Sequence, residues 1–208
     1  MATHVAPRPP PVGLTVDQYD FLIERGRLPE NPATELIGGQ IVYKDRSHAG
    51  GHPMSVGVLH AWVIDGLNEL KEDVRRASGG TVLLRTQLPI VIPPSHEPEP
   101  DGSLVRGSRA DDLAGHPQPD DVLCVIEAAD SSLGYDRTVK LGVYAEGGVP
   151  VYIIVNIPDR VLERHTDPRP GDASYGSVAT IGPGGVLRLP IGAGQTLDVP
   201  ADRLIPPP

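Results

Sequence analysis

The sequence predicts an α/β domain of the mixed α+β kind, a central mixed β-sheet flanked by helices, and three observations carry that reading. Val122-Leu123-Cys124-Val125-Ile126 and Val151-Tyr152-Ile153-Ile154-Val155 are apolar runs without polar alternation, as expected of strands covered on both faces. The segment between them, Asp136 to Glu146, reads as a helix stopped by Gly147-Gly148, so strand, helix and strand form a crossover with two parallel strands. The core must also be aliphatic: 39% of residues are hydrophobic, yet one Phe, one Trp and six Tyr leave Val, Leu and Ile to fill it, which favours a sheet.

A chain of 208 residues fits one domain with a sizeable core. The proline runs Pro9 to Pro11 and Pro206 to Pro208 can join neither a helix interior nor a sheet ladder. The expected organisation is therefore a flexible tail over residues 1–13, a single domain over 14–205 and a C-terminal tail over 206–208. With 24 Gly and 24 Pro the composition is loop-rich. It stays just short of the roughly 25–30% at which low complexity is expected.

Along the chain, Thr15-Val16-Asp17-Gln18 has capping-box spacing and predicts a helix through Arg25, packed outside the sheet. Glu35-Leu36-Ile37 and Gln40-Ile41-Val42-Tyr43 flank Gly38-Gly39, a two-residue connection suited to a tight hairpin. Between His52 and Leu70, Met54, Val58, Ala61, Trp62 and Leu70 recur at mostly helical intervals and predict the longest helix, despite Gly57 and Gly66. Strands are expected at Thr81 to Gln87, at Leu88 to Ile92 and, after a Pro-rich loop, around Asp101 to Arg106. From Val161 onward, short apolar stretches alternate with Gly and Pro, which fits an antiparallel hairpin or meander.

Charge and cysteine usage narrow the function classes. A net charge of −9 argues against a protein that coats nucleic acid through a basic surface, and leaves transient, metal-assisted contact open. The single Cys124 excludes an intramolecular disulfide framework and a multi-cysteine zinc site, and it matches a reducing compartment. Met1 to Pro11 lack a secretory apolar stretch, and no segment approaches the roughly 18 apolar residues of a membrane helix. The expectation is a soluble, cytoplasmic protein without a membrane partner.

Glu127 follows five apolar residues, and burying its charge requires hydrogen bonds, a cation or a metal. Asp101, after Glu99-Pro100, sits at a loop-to-strand boundary from which its side chain can share a crevice with Glu127. Two carboxylates about 4 Å apart repel by roughly 4 kcal/mol at an effective dielectric of 20, so an intimate pair needs a counter-charge or a shared proton. Mg²⁺ is one solution, because it takes one or two carboxylates with several waters and leaves room for a substrate phosphate. Lys140, one turn after Asp136 on the crossover helix, offers a further charge. Each residue also has an ordinary role: Asp136 and Lys140 as a solvated i,i+4 pair, Asp101 as a turn cap, Glu127 as an exposed strand end.

Taken in order, Thr34-Glu35-Leu36-Ile37-Gly38-Gly39-Gln40-Ile41-Val42, Pro100-Asp101, Val125-Ile126-Glu127 with Ser131-Ser132, Asp136-x-x-x-Lys140-x-x-x-Tyr144 and Gly148-Val149-Pro150-Val151-Tyr152-Ile153-Ile154-Val155 resemble the Uma-two family of restriction endonucleases. That family belongs to the PD-(D/E)XK nuclease superfamily, and the resemblance spans residues 14–165. It implies a restriction-endonuclease-like fold and metal-dependent phosphodiester hydrolysis. Carried over position by position, Glu35 is the acid of the hairpin, Asp101 the aspartate of the PD motif, Glu127 the second strand carboxylate and Lys140 the catalytic lysine. Asp101 and Glu127 are the implied ligands of Mg²⁺ or Mn²⁺.

The pattern departs from the superfamily at Ala129, where the usual lysine falls, and from the family at Thr34, Ile153 and Asn156, where Tyr, Trp and Asp are common. Pro119-Asp120 is a competing Pro-Asp pair, but Asp120 precedes Glu127 in one strand and lies roughly 23 Å away when extended.

Other signals have structural readings beside functional ones. His48, His52 and His60 suggest zinc or, with no Cys or Glu completing a pattern, a solvated helix entrance, with His52 a candidate to line the cleft. Cys124 reads as core rather than nucleophile, and Gly182 to Gly185 as a turn without the lysine of a phosphate loop. Arg75, Arg76, Arg85, Arg106, Arg109 and Arg137 either gather along a phosphate-binding groove or are scattered surface charges. The expected activity is a Mg²⁺-dependent endodeoxyribonuclease acting on DNA as a homodimer. The alternatives are a non-catalytic nucleic-acid or protein-binding module that keeps the fold, and a phosphodiesterase acting on RNA or on structured DNA.

Overall fold

A computed structural model describes residues 13–29, 33–43, 57–113 and 115–208. Helix α1 (Val16–Glu24) starts at its capping box: Thr15 Oγ1 accepts from the Gln18 amide at 3.3 Å, and Gln18 Oε1 accepts from the Thr15 amide at 3.1 Å. Strands β1 (Thr34–Ile37) and β2 (Gln40–Tyr43) form the expected hairpin. Gly38 and Gly39 turn it with φ of +59° and +74°, which glycine adopts at no steric cost. Helix α1 packs on this hairpin, where Val16, Tyr19 and Leu36 form a small core and the Tyr19 hydroxyl shares a 2.8 Å hydrogen bond with Thr34 Oγ1.

Helix α2 (Val58–Ala77) replaces the expected span of His52 to Leu70; residues 52–56 lie outside the described residues. It runs past Leu70 because Val74 continues the buried stripe of Val63, Leu67 and Leu70. Gly66 in its middle has a packing reason: a Cβ there would collide with the carbonyl oxygen of Arg203, where the C-terminal segment crosses the helix.

Six strands form the central sheet, in the order β3 (Val82–Thr86), β4 (Gly102–Arg106), β5 (Val122–Ala129), β6 (Val151–Asn156), β7 (Val161–Arg169) and β8 (Ser174–Ile181). The β5–β6 pairing is parallel and the other four are antiparallel, which makes the sheet mixed. Strands β9 (Val186–Pro190) and β10 (Thr196–Pro200) form a separate antiparallel hairpin.

The strand expected over Leu88–Ile92 does not form. Pro89, Pro93 and Pro94 supply no ladder donors, so this segment is held by single contacts such as the Ile90 amide on the Pro98 carbonyl and the Ile92–His96 bridge. Ile90 and Ile92 are nevertheless buried.

The crossover helix begins three residues before the expected Asp136, as α3 (Leu133–Tyr135), passes through a π-turn over Asp136–Lys140, and continues as α4 (Leu141–Glu146). At the other end of the chain Pro206 is buried and its carbonyl accepts from Arg160 Nε at 3.2 Å, while Pro207 and Pro208 are exposed.

The two sheet faces bury different partners. Cys124, Ile126, Ala128 and Ile153 face α2 and the β9–β10 hairpin, whereas Val125, Ala129, Tyr152 and Ile154 face Val143 and Tyr144 of α4 and Ile37 of the first hairpin. Glu127, by strand alternation, belongs to the second face.

Candidate active site

Four separate elements bring the candidate residues together. Gly102 pairs with Ile126 across the β4–β5 ladder, so Asp101, one residue before β4, stands opposite Glu127 near the end of β5. A Cβ at Gly102 would come within 3.2 Å of Leu67, so glycine lets α2 close on the sheet beside Asp101. The β1 strand delivers Glu35, and the π-turn delivers Asp136 and Lys140. All five side chains are buried. The π-turn keeps Asp136 and Lys140 turned inward, whereas the solvated-pair alternative required them outside. Such turns within α-helices occur frequently at functional sites.

Lys140 is the hub. Its Nζ donates to Glu35 at 2.8 Å and lies 3.3 Å from Glu127 Oε1. Glu35 Oε1 also accepts from the Glu99 amide at 2.8 Å. Glu127 Oε1 accepts from the Tyr144 hydroxyl at 2.6 Å, and its Oε2 accepts from the Asp101 amide at 3.3 Å. Asp101 answers in kind: its Oδ2 accepts from the Ala128 amide at 2.9 Å, and its Oδ1 lies 3.1 Å from His60 Nε2. Ser132 donates to Asp136 at 2.6 Å.

Among the described residues, Glu35, Asp101, Glu127 and Asp136 share one lysine, with His60 at Asp101. Burial pushes the Glu127 carboxyl up to about 7; Lys140 opposes the shift, while Asp101, Asp136 and Glu35 add to it. Burial likewise pushes Asp136 to about 6, against Ser132 and Lys140. For Lys140, burial alone would favour the neutral amine, but Glu127 and Glu35 outweigh it and hold the ammonium well above the usual lysine range. The neighbouring carboxylates thus favour Lys140 as a cation and a hydrogen-bond donor.

Sequence reasoning missed His60 and Tyr144 as site residues, and both carried a signal. Tyr144 lies one turn after Lys140 on the face that already holds Asp136 and Lys140. His60 lies one turn before Val63 on the buried stripe of α2, and it contacts Asp101 instead of marking a solvated helix entrance. His48 and His52 fall outside the described residues.

Asp120 is exposed in a short turn at the opposite end of β5, where its carbonyl accepts from Arg106. Cys124 is fully buried, and burial pushes its thiol pKa up, as suits a core residue. The arginines are engaged in different parts of the protein: Arg75 and Arg76 with Glu72, Arg85 with the Pro89 carbonyl, Arg137 with Glu163.

Among the described residues, no three His, Cys, Asp or Glu side chains converge as a metal-binding group, so those residues form no zinc centre. A hard divalent cation asks for less. Asp101 and Glu127 supply two neighbouring buried carboxylates, and that donor set of hard oxygens fits Mg²⁺ or Mn²⁺ with water completing the shell. No described helix is long and apolar enough to cross a membrane.

A mixed sheet that carries an aspartate before one strand, a glutamate near the end of the next and a lysine on the crossover helix defines a nuclease-like protein of restriction-endonuclease-like fold. A family model described as "Putative restriction endonuclease", Uma2, matches residues 16–200, and the chain belongs to that family. Among solved structures, a "putative nuclease belonging to DUF820" from Anabaena variabilis superposes with a TM-score of 0.61 at 18% identity, covering 92% of this chain and 97% of the other. No curated protein sequence matches.

Proposed function

We propose that this protein is a metal-dependent endodeoxyribonuclease, working in the cytoplasm as a homodimer on duplex DNA. The observation that carries the reading is the Asp101–Glu127 pair, joined across β4 and β5, with the Lys140 ammonium beside it. Asp101 and Glu127 would hold Mg²⁺ or Mn²⁺, which when bound polarises a phosphate oxygen and lowers the pKa of water.

The protein's own residues do the positioning. The Ala128 amide and His60 fix the two oxygens of Asp101, and Tyr144 fixes Glu127. Glu35 anchors Lys140, and a donor of the ammonium is aimed at the attacking water or at charge developing on the phosphate. Fixed donors of this kind cost no reorganisation during the reaction.

The test is incubation of the purified protein with supercoiled plasmid, linear duplex, single-stranded DNA and RNA competitor, in Mg²⁺, Mn²⁺ or EDTA, beside Asp101→Asn and Glu127→Gln. Nicking that EDTA abolishes and both substitutions remove supports the reading. Preferential loss of RNA would move the substrate to RNA. Inertness on every substrate, with no Mn²⁺ uptake by calorimetry, would leave a binding module that keeps the fold, a role to which the net charge of −9 is no obstacle where the partner is a protein.

A further inference from the structure

The two edges of the central sheet differ. At one of them β3 is closed off. Ser78 Oγ takes both main-chain groups of Val82, accepting from the amide at 3.2 Å and donating to the carbonyl at 3.4 Å. Lys71 donates to the Thr86 hydroxyl at 2.7 Å, Arg85 reaches the Pro89 carbonyl at 3.0 Å, and every β3 residue is buried or half-buried.

At the other edge β8 is open. Among the described residues its main-chain bonds go to β7 alone. Five consecutive residues, Gly176 to Thr180, are exposed, a run that no other strand of the sheet has, and Val178 keeps 58% of its surface. Because successive residues point to opposite faces, the run is open on both sides as well as along its edge. Proteins blunt open edges with charges, prolines or bulges. Strand β8 has neither charge nor proline, its register with β7 is unbroken from Ser177 to Ile181, and the neutral tract runs from Ala173 to Leu187 in a chain of which 22% is charged.

Charge and closure identify the occupant. Two chains that each carry −9 repel, and a neutral strip lets them meet with no like charges opposed. An antiparallel strand pair about a two-fold axis is self-complementary, and with β3 closed each copy has one edge to give, so assembly stops at two. We propose that β8 is a dimer interface, where two copies pair these strands antiparallel and join their six-stranded sheets into one. The assignment rests on the homodimer of the nuclease reading and supplies its contact. Strand β5 of one copy then lies seven strand spacings from β5 of the other, roughly 34 Å at about 4.8 Å each, on the order of one turn of duplex DNA.

The test compares wild type, Val178→Lys, Val178→Glu and an equimolar mixture of the two variants by sedimentation velocity, with circular dichroism to check folding and plasmid cleavage in Mg²⁺ alongside. Ala179→Lys, exposed on the opposite face, repeats the test with a second side chain. The expected result is a wild type of twice the 22.1 kDa chain mass, each variant at 22.1 kDa, and the mixture restored to the doubled mass as opposite charges face each other across the pair. A wild type of 22.1 kDa overturns the interface, and nicking by that single chain leaves hydrolysis standing. A doubled mass that all the folded variants keep places the contact elsewhere and also overturns the assignment. A wild type that dimerises through β8 and is inert on every substrate supports the interface and overturns the nuclease reading alone.

Discussion

Glu127 and Glu163 lie in one cross-strand row of the sheet, Glu127 opposite Ile154 and Ile154 opposite Glu163, and both are buried. Their environments drive them in opposite directions. Burial pushes Glu163 up, but Arg137 and Asn156 outweigh it and hold the carboxyl below its usual range. The geometry is a fork: Arg137 Nε donates to Oε2 at 3.0 Å and a terminal nitrogen to Oε1 at 2.5 Å, while Asn156 adds a bond at 2.7 Å. Glu127 has one ammonium at 3.3 Å, shared with Glu35, and three carboxylates acting against it. A buried carboxylate gripped at both oxygens by a guanidinium is a satisfied structural pair; one that shares a lysine with another buried acid and has further carboxylates acting on it is held less firmly in its charged form. The first holds the crossover helix to β7, and the second is the candidate site.

The largest expected effect separates these two roles directly. Lys140→Met strands Glu35 and Glu127 without their cation, so stability should fall by about 3–5 kcal/mol and nicking should drop by at least about a hundredfold. Denaturant unfolding and plasmid nicking read the two effects. If nicking per folded molecule survives, Lys140 is a counter-ion of the Arg137 kind and nothing more.

Arg137→Met makes the converse test. Glu163 loses its fork, stability should fall by about 1–3 kcal/mol, and cleavage per folded molecule should stay at the wild-type level. Loss of activity out of proportion to folding would show that the Glu163 pair shares the chemistry, and would erase the distinction.

A third buried carboxylate sharpens the contrast with a smaller effect. Glu97 is pushed up to about 8, first by burial and then by the neighbouring acid Asp20 on α1. Since its pKa in the folded protein is raised, the stability it contributes is complete below the ordinary carboxylate range and is lost as pH rises toward 8. Glu97→Gln should therefore gain stability over wild type progressively with pH, by on the order of 1 kcal/mol above pH 8, in thermal unfolding followed from pH 5 to pH 9. A stability difference independent of pH would show that Glu97 is ionised in the fold.

How much of this was legible in the sequence follows from the range of each interaction. The α1 capping box, the Gly38-Gly39 turn and the apolar β5 and β6 runs are local signals, and each produced its element. Glu35, Asp101, Glu127 and Lys140 were legible because resemblance ordered them; spacing alone left solvated alternatives open for them. The strand expected at Leu88–Ile92 failed because Pro89 interrupts the segment and its Ile90, Val91 and Ile92 amides go to three separate carbonyls, of Pro98, Pro117 and His96, rather than to one neighbouring strand. His60 was passed over because a histidine near a helix start is uninformative until Asp101 arrives from 41 residues away.

Apart from Leu88–Ile92, the sequence by itself determined where the sheet strands and main helices lie and which acids sit at their ends, since backbone preference and apolar period are properties of neighbouring residues. Only the tertiary structure decided which acid meets which cation. Lys140 joins Glu35 across 105 residues of chain, and the π-turn sets the direction in which Asp136 and Lys140 face. Electrostatic pairing in a buried site depends on distances that the sheet and the crossover helix create together, and no stretch of chain contains them.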